Sequence, residues 1–219
     1  MDVSRETAVA VFGTRLPLAE AYADLLRTAG VTRGLIGPRE ADRLWERHLL
    51  NSAAAADAFP STGLVADIGS GAGLPGIPLA ILRPELTVRL VEPLLRRVTF
   101  LSEVVAELGL TNVEVVRSRA EDLQGSWAAP IVTARAVAPL DRLAGWCLPL
   151  VTAGGSLLAL KGDRADDELA EAIPVLRRLG AVEWTVEAHG LGVVDPPVRI
   201  VRVVAGGGRR AGQPGRPQQ

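Results

Sequence analysis

The segment Asp67-Ile68-Gly69-Ser70-Gly71-Ala72-Gly73 constrains this chain more than any other stretch. An apolar run of strand length, Leu64–Ile68, leads into it, and a helical pattern starts behind it near Pro75. Glycines at such a strand-to-helix junction let the main chain approach a ligand closely and aim amide groups at it. A strand, a glycine loop and a helix in that order open a parallel sheet with helical crossovers. Taken alone the motif is weak evidence, and its position between strand and helix is as informative as its letters.

The rest of the chain agrees. From Gly63 onward, strand-length apolar runs alternate with amphipathic segments of helix length. The strands expected are Leu64–Ile68, Val88–Val91, Val113–Val116, Ile131–Ala134, Ser156–Leu160, Val182–Val186 and Arg199–Val204. Helices are expected over Gly76–Leu82, Leu94–Leu108, Leu140–Leu150 and Ala165–Leu179. The last two strands are joined by Gly190 to Pro197, too short a link for a helix, so they should pair antiparallel. The expected fold is α/β, a Rossmann-like seven-stranded and mostly parallel sheet with an antiparallel last strand.

Ahead of the sheet, residues 1–60 read as a helical cap. One helix should run from Leu16 to Ala29, closed by Gly30, and a longer one should begin at Pro38. In the second, Leu44, Trp45, His48, Leu49 and Ser52 share one side, while Arg39, Arg43 and Arg47 form a ridge on another. That ridge suits either a solvated face balanced by Glu40 and Glu46 or a phosphate contact. Residues 61–205 would form the sheet domain. The tail 206–219 is rich in Gly, Pro and Arg and is expected to be a disordered basic extension.

Composition mainly excludes. At 219 residues the chain suits one α/β domain with a terminal elaboration, and no apolar run is long enough to span a bilayer. The acidic start Met1-Asp2-Val3-Ser4-Arg5-Glu6 lacks the pattern of a signal peptide, which leads us to expect a cytoplasmic protein. One cysteine, Cys147, with His48 and His189, makes neither a disulfide nor a zinc site, so no metal is expected. A formal charge of -1 advertises no polyanion partner, although the cations are almost all Arg, with Lys161 the only lysine. Oligomeric state leaves no trace in the sequence.

Read as Gly71-Ala72-Gly73-Leu74-Pro75-Gly76, the loop also fits a dinucleotide fingerprint. Three acids bear on the choice, and two of them separate the possibilities. Asp67, just before the first glycine, suits a cationic methionine group and would repel a pyrophosphate. Glu92 closes the second strand, where a carboxylate can accept from both hydroxyls of a ribose, which either cofactor wants. Glu121, in Arg119-Ala120-Glu121-Asp122 after the third strand, stands where an adenine amino group would be met. Together they favour S-adenosyl-L-methionine.

A set of longer blocks points further. Arg47-His48-Leu49-Leu50-Asn51-Ser52, then Asp67 through Leu79 with its Gly73-Leu74-Pro75-Gly76-Ile77-Pro78 run, then Arg83-Pro84-Glu85, closely resemble the bacterial small-subunit ribosomal RNA guanine-N7 methyltransferases, also called glucose-inhibited division protein B. Arg96-Arg97-Val98-Thr99-Phe100-Leu101, Ser118-Arg119-Ala120-Glu121, Ala134-Arg135-Ala136 and Leu160-Lys161-Gly162 continue it in the same order, over roughly residues 40 to 205. The resemblance implies a class I S-adenosylmethionine-dependent methyltransferase acting on N7 of a guanine in 16S ribosomal RNA or the small ribosomal subunit.

It also implies that Gly69, Leu74, Ala120, Glu121 and Arg135 surround the cofactor, beside Asp67, Gly71, Gly73 and Glu92. Arg135 and Lys161, at the carboxyl ends of strands four and five, become the candidate catalytic pair. The family's Arg-His-x-x-Asp-Ser is varied here, with Asn51 at the acidic position. His48 is expected to pack or hydrogen-bond rather than catalyse, and Cys147 to sit in the core. Asp195-Pro196-Pro197-Val198 faintly resembles an amino-methyltransferase loop but follows the wrong strand and reads as a turn. Two alternatives stay open: a methyltransferase for another RNA or a small molecule, and a non-catalytic cofactor-binding module of ribosome assembly.

Overall fold

The structure is a computed structural model that describes residues 3–207. The expected basic tail therefore lies, from residue 208, outside the described residues. A seven-stranded sheet has the order β3-β2-β1-β4-β5-β7-β6. Its strands are β1 (Gly63–Ile68), β2 (Leu86–Val91), β3 (Val113–Val116), β4 (Ala129–Arg135), β5 (Val151–Lys161), β6 (Ala181–His189) and β7 (Val198–Ala205). Strands β1 to β5 pair in parallel, whereas β7 runs antiparallel to both neighbours.

Nine α-helices are described: α1 (Val3–Phe12), α2 (Leu16–Leu25), α3 (Pro38–Ala41), α4 (Asn51–Ala54), α5 (Gly76–Leu82), α6 (Leu95–Glu107), α7 (Ala120–Leu123), α8 (Leu140–Cys147) and α9 (Ala165–Arg178). None of the described helices is long and apolar enough to cross a membrane. Every strand and helix expected beyond Gly63 is present, with ends shifted by a few residues. β5 is the largest shift, starting at Val151 rather than Ser156.

Parallel strands buried on both faces produce two cores. Leu158, Leu160 and Ile200 point to one face, and Leu157, Ala159, Val201 and Val203 to the other. The alternation follows from the two-residue period of a strand. The first face is covered by α5, α6 and the whole N-terminal cap, the second by α8 and α9. In α2, Ala19, Tyr22 and Ala23 are buried with Leu26 behind them, the three-to-four spacing of a helix stripe. Helix α9 starts with Asp166, Asp167 and Glu168 and ends with Arg177 and Arg178, charges that complement its dipole.

The cap departs from the expected pair of long helices. α1 is an additional helix, and the segment from Pro38 is broken into α3, a wide π-helical turn over Trp45–Leu50, α4 and a 3₁₀ turn over Ala55–Ala58. The wide turn still buries His48, Leu49 and Leu50 together. An extra residue in a helical turn redirects side chains, and such turns recur where a side chain must be aimed.

Candidate active site

The carboxyl ends of the parallel strands open into a cleft of about 1390 Å³. One wall is the glycine loop, with Gly69, Ser70, Gly71, Ala72 and Leu74. The opposite wall is the 136–139 loop between β4 and α8, with Lys161 at the end of β5. The roof is the cap, through Glu40, Arg43, Arg47, His48 and Asn51, and the β6–β7 loop closes the side. Gly190 in that loop sits so close to α4 that a Cβ there would stand 2.4 Å from the Ala54 Cβ.

Gly69 and Gly71 have φ of 71° and 60°, a left-handed backbone that glycine adopts without strain. Gly69 has a second constraint: a Cβ would lie 2.9 Å from Cγ2 of Val137 on the facing loop. Gly73 faces away from the cleft, against Ile77, Tyr22 and Leu101. Expected beside the cofactor, it packs beneath the loop and is not among the residues lining the cleft. Tyr22, fully buried in α2, donates to the Ala72 carbonyl at 2.8 Å and so pins the loop to the cap. Burial, helped by the nearby Asp67, pushes its phenol well above the usual range.

Asp67 and Glu92 stand directly behind the loop. Oδ2 of Asp67 accepts the Gly76 amide at 3.1 Å, while Oδ1 is buried with no hydrogen-bond partner. Burial raises its carboxyl from 3.8 to about 7, against the opposing effect of that amide. Glu92, nearly without exposure, accepts from the Gly71 amide at 3.0 Å and the Leu94 amide at 3.0 Å, with Arg97 at 3.4 Å. A partnerless buried carboxylate oxygen suits a cationic or N–H-bearing ligand group. These residues suit a cofactor that is cationic at one end and carries a ribose at the other, but from behind the loop, since neither Asp67 nor Glu92 is among the residues lining the cleft.

Arg135 reaches out of the sheet into the cap. It donates to Ser52 Oγ at 3.0 Å and to the Arg47 carbonyl at 2.7 Å, and lies 3.2 Å from His48 Nδ1. Arginine has no acceptor, so Nδ1 must be the unprotonated ring nitrogen and His48 is neutral here. Burial, reinforced by Arg135, holds its pKa below the usual value. The Arg47-His48-x-x-x-Ser52 block is thus the socket for Arg135, a role the sequence did not disclose. Burial lowers the guanidinium's own pKa as well.

Lys161 lines the cleft, but its ammonium is engaged: Nζ donates to the Ala138 carbonyl at 2.7 Å and pairs with Glu168 Oε2 at 2.7 Å. Ala120 is buried and Glu121 exposed at the start of α7, which flanks the cleft without lining it. Asp195, Pro196 and Pro197, expected as a simple turn, reach the cleft side. Cys147 is in the core, where burial pushes its thiol up to about 12. Among the described residues, no group of three or more His, Cys, Asp and Glu side chains could hold a metal ion.

A family profile described as rRNA small subunit methyltransferase G matches residues 15–191. The chain belongs to that family. Among relatives of this methyltransferase G member is the Ribosomal RNA small subunit methyltransferase G of Streptomyces avermitilis, 57% identical over 202 residues, covering 92% of this chain and 85% of that protein. The protein of the same name from Mycobacterium marinum is 54% identical over 202 residues, covering 90% and 87%. The S-adenosylmethionine-dependent methyltransferase SibL superposes with a TM-score of 0.59 at 17% identity, over 77% of this chain and 57% of that one. TYW2 of M. jannaschii, solved in complex with AdoMet, gives a TM-score of 0.53 at 15% identity, over 70% of this chain and 73% of that one. The fold of this family member is that of the class I methyltransferases.

Proposed function

We propose that the cleft binds S-adenosyl-L-methionine on the glycine loop and admits a guanine of 16S ribosomal RNA from the cap side, for methyl transfer to N7. The observation that carries this is the size and lining of the cleft. Pockets for single small ligands span roughly 300–1,000 Å³, and 1390 Å³ with a glycine loop on one wall and arginines on the roof leaves room for a cofactor and a base together. The family match supports ribosomal RNA of the small subunit as the acceptor.

Bound S-adenosylmethionine would supply a methyl carbon open to attack by a lone pair, with the sulfonium sulfur leaving as the thioether of S-adenosylhomocysteine. Asp67 Oδ1 would hold the cationic methionine end, Glu92 the ribose, and Gly69, Gly71 and Leu74 the surface between them. Ala120 and Glu121 would stand toward the adenine side. Guanine N7 already carries an in-plane lone pair, so no side chain has to remove a proton. The protein's work is to fix the approach, exclude water and favour the charge that develops on the base. Alignment of this kind contributes at most roughly 7–11 kcal/mol. Arg135 contributes by seating the cap, which carries Arg43 and Arg47 toward the RNA backbone.

The test is transfer of label from methyl-labelled S-adenosylmethionine to small ribosomal subunits, with the modified nucleotide mapped by cleavage at N7-methylguanine. Wild-type protein is expected to label one guanine, and Gly69→Val, whose side chain would collide with Val137, none. Label at a position other than a guanine N7, or no label, would overturn the assignment.

A further inference from the structure

We propose that Lys161 and Glu168 are positioning residues, a partly buried ammonium–carboxylate tie that holds the 136–139 loop in the shape against which the acceptor base is aligned. The proposal deepens the functional reading above and rests on it. The tie spans three elements: Lys161 ends β5, Glu168 lies in the first turns of α9, and the loop joins β4 to α8. Lys161 Nζ holds the Ala138 carbonyl at 2.7 Å and Glu168 Oε2 at 2.7 Å, and the same Oε2 accepts the Leu140 amide at 3.0 Å. The loop is therefore gripped on both sides of Pro139, which has no amide of its own to donate.

What is gripped is a strained segment. Ala136 has φ of 54°, in the left-handed region that non-glycine residues rarely occupy and that persists only when the surroundings enforce it. The next residue, Val137, stands directly over the bare Cα of Gly69. The position of this loop thus sets how closely the second wall approaches the glycine loop. A shift of Ala138 would be passed to Val137 and change the gap through which cofactor and acceptor meet.

The sequence adds an independent observation. Lys161 is the only lysine among 24 Lys and Arg residues. A compact ammonium can sit between two acceptors at 2.7 Å, where a planar guanidinium fork would not fit. With only 8% of its side chain exposed and both near partners within the protein, Lys161 acts through the loop rather than on the RNA.

A single lysine gives a single reporter. In protein labelled with ¹⁵N-lysine, the wild type is expected to show one side-chain ammonium signal protected from solvent exchange. Glu168→Gln, which keeps the shape but removes the charge, should shift it and speed its exchange. With small subunits as acceptor, the same variant should lose about tenfold in kcat while the Kd for S-adenosylmethionine stays within about twofold. Glu168→Asp should recover part of that kcat, and Lys161→Arg should not.

An unchanged ammonium signal in Glu168→Gln would overturn the tie. A lowered melting temperature with wild-type kcat would reduce it to a structural contact and overturn the positioning role. If Glu168→Gln fails to fold, Glu168→Asp against wild type decides by the same signal and the same kcat. Wild-type protein that transfers no methyl group would sink the functional reading instead, and with it the alignment role. The ammonium signal and the protection of the Leu140 amide would then judge the tie alone.

Discussion

Asp67 carries an ionisable carboxyl at a site with no solvent exposure, and the cost of charging it is set by burial. Its pKa is near 3.8 in an unfolded chain and about 7 in the fold. Between those values the folded state binds the extra proton, so this group's contribution to stability is fully present below about pH 4 and lost as the pH rises through about 7. The displacement corresponds to roughly 4 kcal/mol at most. Asp67→Asn keeps an acceptor for the Gly76 amide and cannot ionise. Urea unfolding should find it gaining stability on wild type as pH rises from 5 to 8; a difference that shrinks over that interval would refute the account. A cation held at Oδ1 would favour the ionised form, so affinity for S-adenosylmethionine should rise over the same interval. Residue identity made Asp67, Glu92 and the glycines legible from the chain alone, because their place after a strand implies what they can touch. The partners of Arg135 were not legible: Ser52 and Arg47 are more than 80 residues away and meet it only through the tertiary fold. Glu168 was equally hidden, and the solitary lysine was its only signal.

At the scale of elements, the link that matters is between α2 and the glycine loop. The Tyr22 hydroxyl is the cap's hydrogen bond to the Ala72 carbonyl. Tyr22→Phe preserves the ring and leaves that carbonyl without its donor, at a cost of about 1–2 kcal/mol. The expected result is a lower thermal midpoint together with weaker cofactor binding by calorimetry. A loss of stability with unchanged affinity would show that the loop keeps its shape without the cap. The sheet elements were readable because buried parallel strands are continuous apolar runs between turn residues. The cap was read less well. Val3–Phe12 is rich in β-branched residues and does not announce a helix, and nothing in Pro38–Ala58 marks where an α-helical repeat widens into a π turn. Packing against α5 and the sheet selects those turns, and packing partners are not written in local periodicity.

Cap and sheet share one hydrophobic core: Phe12, Tyr22, Leu26 and Leu49 cluster with Val65, Ile77, Leu86 and Leu158. The division at residue 60 marks a change of element type and not a break in the core. We infer that the two parts unfold together. Trp45 reports on the cap, and far-ultraviolet circular dichroism reports on the whole molecule. In a variant whose other three tryptophans are replaced by Phe, both probes should give the same denaturation midpoint. Two separated midpoints would mean that the cap is an independent unit.

The strand order has a consequence for how such a chain comes into being. Among the described residues β7 is the last strand in sequence, yet it lies inside the sheet, between β5 and β6. During synthesis β6 emerges first and finds no partner waiting at the edge of β5, since the slot between them belongs to residues not yet made. A nascent chain halted before Val198 therefore exposes two unpaired backbone edges, the kind of surface that recruits other strands. Completion of the sheet waits for Val198–Ala205, and loss of that stretch should be more damaging than its small share of the length suggests.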